Sequence, residues 1–293
     1  MSNYLLRSLL FVPSHNKKLM QSASKSKADV LLLDVEDSVQ PKSNKQLARN
    51  SIKDSLSKDL FKGKKVFPRV NDRQSGELLK DITQLTIKGV NGFMYPKAYS
   101  GEDIYFFDKL LETVEYEKGI EIGTFKIIPL IETASAVLNI QDICRASKRV
   151  IAVAYGSEDF IADLEGIHDI NHSSLFTPRA IIAMGARATG VIPIDTVHIR
   201  VHDLEDLEEN LKVSKNLGFE GMLLLHPKEI DLVHEYYSPS KQEVEEAKLM
   251  LELSDEAIRH GAGVAIKNGK FIGPPMIITA KKILLKDTLI KNK

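Results

Sequence analysis

The sequence predicts an α/β fold, a (β/α)8 TIM barrel with a C-terminal helical extension. Three observations point there. Eight short apolar runs recur, each bounded by turn residues or charges. Helix-compatible stretches separate most of them. The 293 residues leave room for a barrel of the usual size, about 250 residues, and a tail. In order, the runs are SLLFVP (8–13), DVLLLDV (29–35), KVFPRV (65–70), GFMYP (92–96), KIIPLI (126–131), VIAVAYG (150–156), DTVHIRV (195–201) and GMLLLHP (221–227). Seven of the eight hold three to five Val, Ile, Leu or Phe, the pattern of strands buried on both faces of a parallel sheet.

The predicted helices cover 17–27, 42–59, 76–88, 102–118, 135–147, 177–189 and 204–217. Phe106/Phe107, Leu110/Leu111 and Val114 recur at helical spacing. The stretch 204–217 starts acidic and ends basic, complementing the helix dipole, and Gly218 is placed to end it. The rival is a doubly wound open sheet. No GxGxxG turn follows the first run, which weakens its nucleotide-binding version. We therefore divide the chain into a barrel, 1–237, and a C-terminal helical or lid segment, 238–293. In the tail, Ser240 and Glu243 are spaced to cap one long helix over 239–260 that ends at Gly261. KNGK then reads as a hairpin turn, and a short helix starts at Met276. The tail has no place among the eight units, so it is expected across the barrel or on a neighbouring subunit.

Forty basic residues balance forty acidic ones, so no global field draws the chain to nucleic acid or an anionic membrane. Small acidic substrates respond to local charge and stay open. A single cysteine, Cys144, excludes an intrachain disulfide and suits a reducing cytoplasm. No apolar run approaches a membrane span of about 18 residues. The N-terminus lacks a continuous apolar signal region. A cytoplasmic location is the expectation.

Catalytic groups of a parallel barrel gather at the C-terminal ends of its strands. The polar residues there are Asp34, Glu36 and Asp37 after run two, Arg69 and Asn71 at run three, Lys97 after run four, Glu132 after run five, Glu158 and Asp159 after run six, and His226 after run eight. Carboxylates that converge on one bowl repel each other unless a cation lies among them. Glu132 and Asp159 follow successive runs and are 27 residues apart, close to one βα repeat. Neighbouring strands are about 4.8 Å apart, so both acids can reach one ion. Few, hard oxygen ligands suit Mg²⁺. The histidines lack zinc spacing near these acids. Arg69, on the same rim, carries a fork that matches a carboxylate or a developing oxyanion. Structural readings stay open beside these: Asp159 as a helix cap, Glu132 paired with Lys126 or Arg69, Arg69 in a fixed ion pair, and Asp34 and Asp37 as scaffold. His226 reads as a strand end, and His168 and His172 as loop residues.

RSLLFVPS, DVEDSVQP, FPRVN, YPKAYSGEDI, IPLIETASAVLN and YGSEDFIADL occur in that order. IDTVHI, LGFEGMLLLHPKEI and SPSKQEVEEAKLML follow. Together they resemble the citrate lyase β-subunit-like members of the HpcH/HpaI aldolase/citrate lyase family over nearly the whole chain. The resemblance implies a barrel, a homotrimer whose C-terminal segment reaches a neighbour, and Mg²⁺-dependent cleavage or formation of a C–C bond in β-hydroxyacyl thioesters such as citryl-, malyl- or citramalyl-CoA. By position it makes Glu132 and Asp159 the metal ligands and Arg69 the substrate arginine. Glu36 and Asp37 match acids that support the metal through water. The motif with Phe11 and Pro13 resembles the part lining the CoA site, where Lys17, Lys18 and Lys45 would meet phosphates.

Three positions depart from the family pattern. Gly273, in FIGPP, stands where many relatives carry an aspartate acid/base; Met222 replaces a frequent lysine, and Arg200 a frequent aspartate. Glycine transfers no proton, so the expectation is a lyase with altered chemistry at the acyl end. A free-acid aldolase that does not use CoA, and a non-catalytic acyl-CoA- and metal-binding protein, are the alternatives.

Overall fold

The computed structural model describes residues 4–167, 173–261, 264–267 and 270–293. Eight parallel strands close into a barrel in chain order. They are β1 (Ser8–Pro13), β2 (Val30–Asp34), β3 (Lys65–Arg69), β4 (Gly92–Tyr95), β5 (Lys126–Ile131), β6 (Ala152–Tyr155), β7 (Ile192–Asp195) and β8 (Gly221–Leu224). Each strand pairs with the next, and β8 closes on β1 through Ser8↔Met222. The buried runs are strands because they are covered on both sides, by helices outside and by other strands' side chains inside. Leu9, Leu31, Leu32, Phe67, Phe93 and Ile127 are fully enclosed. Gly221 opens β8 because a Cβ there would meet Leu6 O at 1.8 Å.

The helices wrapping these strands are α1 (Lys17–Ser24), α2 (Asn44–Ser57), α3 (Leu78–Leu85), α4 (Gly101–Glu117), α5 (Ala134–Leu138), α6 (Ile140–Arg145), α7 (Ser157–Asp163), α8 (Ser173–Thr189), α9 (Leu204–Leu217) and α10 (Ile230–Tyr237). Local chemistry fixes their ends. Asn16 accepts from Lys18 N and Leu19 N to cap α1. Gly218 ends α9 at a φ of 93°, where a side chain would clash. No helix among the described residues is long and apolar enough to cross a membrane.

Three local readings differ from the sequence expectation. The seventh strand is Ile192–Asp195, not 195–201. Pro193 donates no N–H, yet its carbonyl accepts from Glu220 N and its neighbour Ile192 N donates to Ile151 O. The ladder therefore holds without the missing N–H. The helix expected over 135–147 is two, α5 and α6, parted at Asn139. The short α7 at the exit of β6 carries too few residues to show a helical period. His168 and His172 lie outside the described residues.

Leu6–Val233 forms one compact unit, and His234–Lys293 makes up most of a second. In the second, α11 (Lys241–Arg259) begins with the reciprocal capping box of Ser240 and Glu243. β9 (Ala265–Lys267) and β10 (Lys270–Ile272) pair antiparallel about the hairpin, whose two central residues lie outside the described ones. α12 (Pro274–Lys291) packs on α11 and is far longer than the short helix expected from Met276. Gly273 is its N-cap.

Candidate active site

The exits of β2 to β6 bring a buried set of charges together. Asp34 ends β2 and Arg69 ends β3, side by side in register. The guanidinium grips Asp34 with two parallel bonds, Nε to Oδ1 and Nη2 to Oδ2, each 2.8 Å. Asp34 also accepts from Glu36 N and Ser38 N, both at 3.0 Å. Burial pushes its carboxyl up, but the Arg69 charge and these bonds outweigh it and hold it below the usual range. Asp34 is thus the part of the scaffold that fixes the arginine. Arg69 rests over the Phe11 ring, 4.8 Å from its centroid, and turns Nη1 toward Glu36 and Asp37.

Glu36 is buried, and its Oε2 lies 3.0 Å from Arg69 Nη1. The contact is an ion pair without hydrogen-bond alignment, so Oε2 has no hydrogen-bond partner. Burial is the main cause that pushes the Glu36 carboxyl up to about 8; Arg69 opposes it, while Asp37 and Glu132 add to it. Asp37 is half exposed beside it, with Oδ2 3.3 Å from Arg69 Nη1.

Glu132 follows β5 and is 1% exposed. Its Oε2 accepts from Lys97 N at 3.3 Å, and its Oε1 is buried without a partner. Burial, then the charge of Asp159, push its carboxyl up to about 7, against the pull of Arg69 and Lys97. Among the described residues Glu132 makes no ion pair; Lys126 Nζ donates to Gly123 O instead. Asp159 is exposed in the first turn of α7. It does not cap that helix, whose N-cap is Gly156 with no side-chain bond.

These residues fit a hard divalent cation. An unpartnered buried carboxylate oxygen, raised by a second carboxylate, is the arrangement a cation relieves. No group of three or more His, Cys, Asp or Glu among the described residues is gathered for a metal. A cation held here would take its other ligands from water or substrate, as Mg²⁺ does.

The other predicted residues separate. Phe11 and Pro13 are half-buried on β1, beside Arg69 and Asp34. Lys17 and Lys18 are exposed at the start of α1. Lys45 does not join them: it is 6% exposed, and its ammonium donates to the Glu36 carbonyl beneath the carboxylate pocket. His226 caps a 3-10 turn at Pro227–Glu229, its Nδ1 accepting from Lys228 N. Arg200 pairs with Asp206, and Met222 is buried in β8.

Two features were not assembled from the sequence. Asp195 ends β7 in a buried pair with Arg179 of α8; the sequence reading had it at the start of the seventh run, where nothing marked it. Lys97 contributes a backbone N–H to Glu132 and an ammonium 3.7 Å from Glu36 Oε1. Its lysine-after-proline position marked a strand end but not these contacts.

The comparisons with known proteins agree with one another. The profile of the HpcH/HpaI aldolase/citrate lyase family matches residues 7–227. Citrate lyase subunit beta of Haemophilus influenzae is 34% identical over 280 residues, 96% of each chain. The L-malyl-CoA/beta-methylmalyl-CoA lyase of Rhodobacter capsulatus is 28% identical, covering 98% of this chain and 96% of its own. Among solved structures, protein CitE of Mycobacterium tuberculosis with magnesium and pyruvate superposes at a TM-score of 0.66 and 25% identity, over 82% of this chain and 93% of that one. The barrel, the order of its strand-end motifs and these matches make the chain a member of the HpcH/HpaI aldolase/citrate lyase family.

Proposed function

We propose that the chain is a Mg²⁺-dependent carbon–carbon lyase that cleaves or forms a β-hydroxyacyl thioester, with an acyl-CoA and a 2-oxo acid on the other side of the reaction. The observation that carries this is the unpartnered Glu132 Oε1, coupled to Asp159 and set within reach of the Arg69 charge. The lyases among the relatives, and the magnesium and pyruvate held by the Mycobacterium tuberculosis protein, support it.

Glu132 and Asp159 would hold the cation, with Glu36 and Asp37 behind them. When bound there, Mg²⁺ supplies Lewis acidity that eases loss of the β-hydroxyl proton. Cleavage breaks the bond between the hydroxyl-bearing carbon and the carbon next to the thioester carbonyl. The bonding pair passes into a thioester enolate, which takes up one proton in place of the hydroxyl proton lost and becomes the acyl-CoA, and the hydroxyl-bearing carbon becomes the ketone of the 2-oxo acid. Arg69, fixed by Asp34 and turned outward at Nη1, faces the oxygen charge that develops. Phe11 beneath it and Pro13 line the acyl-carrier side, with Lys17 reaching for phosphate. Gly273 brings no proton donor, so the reading is a lyase that leaves the thioester intact. We read 238–293 as a segment packed on a neighbouring subunit of a homotrimer.

The test is cleavage of citryl-, malyl- and citramalyl-CoA with Mg²⁺ and with EDTA, beside the free 4-hydroxy-2-oxo acids. Metal-dependent release of a 2-oxo acid from a CoA ester is expected. Turnover of free acids alone would replace this reading with the aldolase one.

A further inference from the structure

We propose that Lys97, helped by Arg73, is the specificity-determining anchor for a second carboxylate on the 2-oxo acid half of the substrate, so that the site favours 2-oxo diacids over monoacids. The inference rests on the lyase reading and narrows its substrate.

Lys97 follows β4, between the strands that end in Arg69 and lead to Glu132. Its N–H holds Glu132 Oε2 at 3.3 Å, and its Nζ is 3.7 Å from Glu36 Oε1. That distance is an ion pair but not a hydrogen bond, so the ammonium keeps donors for a ligand. About a third of the side chain is exposed (35%). The backbone sits at a φ of 50°, the left-handed region that a side chain disfavours and glycine would adopt freely. The strain is held at the point where the lysine meets the carboxylate pocket.

Lys97 also lines a cleft of about 700 Å³ with Arg73, Tyr95, Tyr99, Asp72 and Asp103. That volume suits a small ligand. The two acids of the cleft are engaged in the backbone. Asp72 Oδ1 accepts from Gln74 N and Ser75 N at 2.7 and 3.1 Å. Asp103 Oδ2 accepts from Tyr99 N and Ser100 N at 3.1 and 3.0 Å. The cations are differently placed. Arg73 is exposed with its guanidinium 4.5 Å from the Phe106 ring centroid, and makes no ion pair among the described residues. The cleft is formally neutral, two cations against two acids, but the acids spend oxygens on backbone N–H groups while the ammonium and the guanidinium keep donors for a ligand, beside the buried Glu36 and Glu132.

The full chain with Mg²⁺ is titrated by calorimetry, cold and within minutes of dissolving the acids, with pyruvate and with oxaloacetate. Wild type is expected to bind oxaloacetate more tightly. Lys97→Gln should weaken oxaloacetate roughly tenfold and pyruvate by less than about threefold, the effect of one charged hydrogen bond. Lys97→Arg should retain much of the preference. Equal weakening of both acids would make Lys97 only a neutraliser of Glu36 and overturn the inference while sparing the lyase reading. Binding of neither acid by wild type would overturn that reading as well. Should Lys97→Gln fail to melt cooperatively, the exposed Arg73→Gln decides: loss of preference for the diacid supports the proposal, and an unchanged preference ends it.

Discussion

Two buried arginines, one at each end of the barrel, use the same chemistry to opposite effect. Arg149, just before β6, grips Glu115 with Nη1 and Nη2 at 2.7 and 2.6 Å, and its Nε meets Asp108. Glu115 also takes the N–H groups of Gly123 and Phe125. Burial raises its carboxyl, and Arg149 with these bonds brings it below the usual range. Arg69, at the far end, is as well fixed, but the carboxylates beyond it are not. Glu36 and Glu132 rise to about 8 and about 7, and each keeps an unpartnered buried oxygen. Complete satisfaction marks Arg149 and Glu115 as groups that hold the fold together; the unpartnered oxygens of Glu36 and Glu132 support the proposed cation site.

The sharpest test of that contrast is to remove one acid from each end. Glu132→Gln or Asp159→Asn should cut Mg²⁺-dependent cleavage by roughly a thousandfold. Metal-free Glu132→Gln should melt at or above the wild-type temperature, because the charge of a buried carboxylate with an unpartnered oxygen has been removed. Glu115→Gln should do the reverse. It leaves Arg149 short of its partner and should lower stability by about 3–5 kcal/mol in urea unfolding, with the Mg²⁺ response kept. Unfolding of Glu132→Gln would show that the mouth, too, is scaffold.

Asp34→Asn falls between the two. It belongs to the mouth, yet it is satisfied like the base. The loss of one partner of a buried pair should lower stability by about 3 kcal/mol. The arginine, no longer fixed, should lose roughly a hundredfold in turnover. A fall in stability with full activity would mean that Asp34 does not aim Arg69.

How much of this could be read in the sequence follows from the same division. The strands were legible because burial on both faces leaves a continuous apolar run, as in Val30–Asp34 and Lys126–Ile131. β7 was not, because its apolar run, 191–194, is short, and the alternating Val197, Ile199 and Val201 just after it read as the better strand. Glu132, Asp159 and Arg69 stood out as polar residues at the ends of apolar runs. The inward turn of Lys45 and the left-handed backbone of Lys97 have no sequence signal, since each depends on a neighbour that the fold supplies. Asp34 could not be divided between site and scaffold until its two bonds to Arg69 were visible.

The smallest effect concerns a half-satisfied group at the mouth, an imidazole whose Nδ1 lacks a hydrogen bond, and shows itself as a pH slope. His198, after β7, is buried with Nε2 2.7 Å from Asp206 of α9 and Nδ1 3.8 Å from Glu229. Arg200 shares Asp206, 3.4 Å away. Burial pushes the imidazole down, but Glu229 and Asp206 outweigh it and raise it above the ordinary 6.5. A raised folded-state value means that the folded chain binds the proton more tightly than the unfolded one. The stabilisation is then complete below about pH 6.5 and is lost as pH rises through the folded-state value. The contribution of Glu115 has the opposite sign, present above its unfolded value and lost as pH falls through the lowered one. Unfolding of His198→Gln beside wild type should therefore show the largest gap at low pH and a closing gap above neutrality. A gap that widens with rising pH would mean that the imidazole is held neutral between the two acids, and the mouth would then contain a third unrelieved carboxylate, at Glu229.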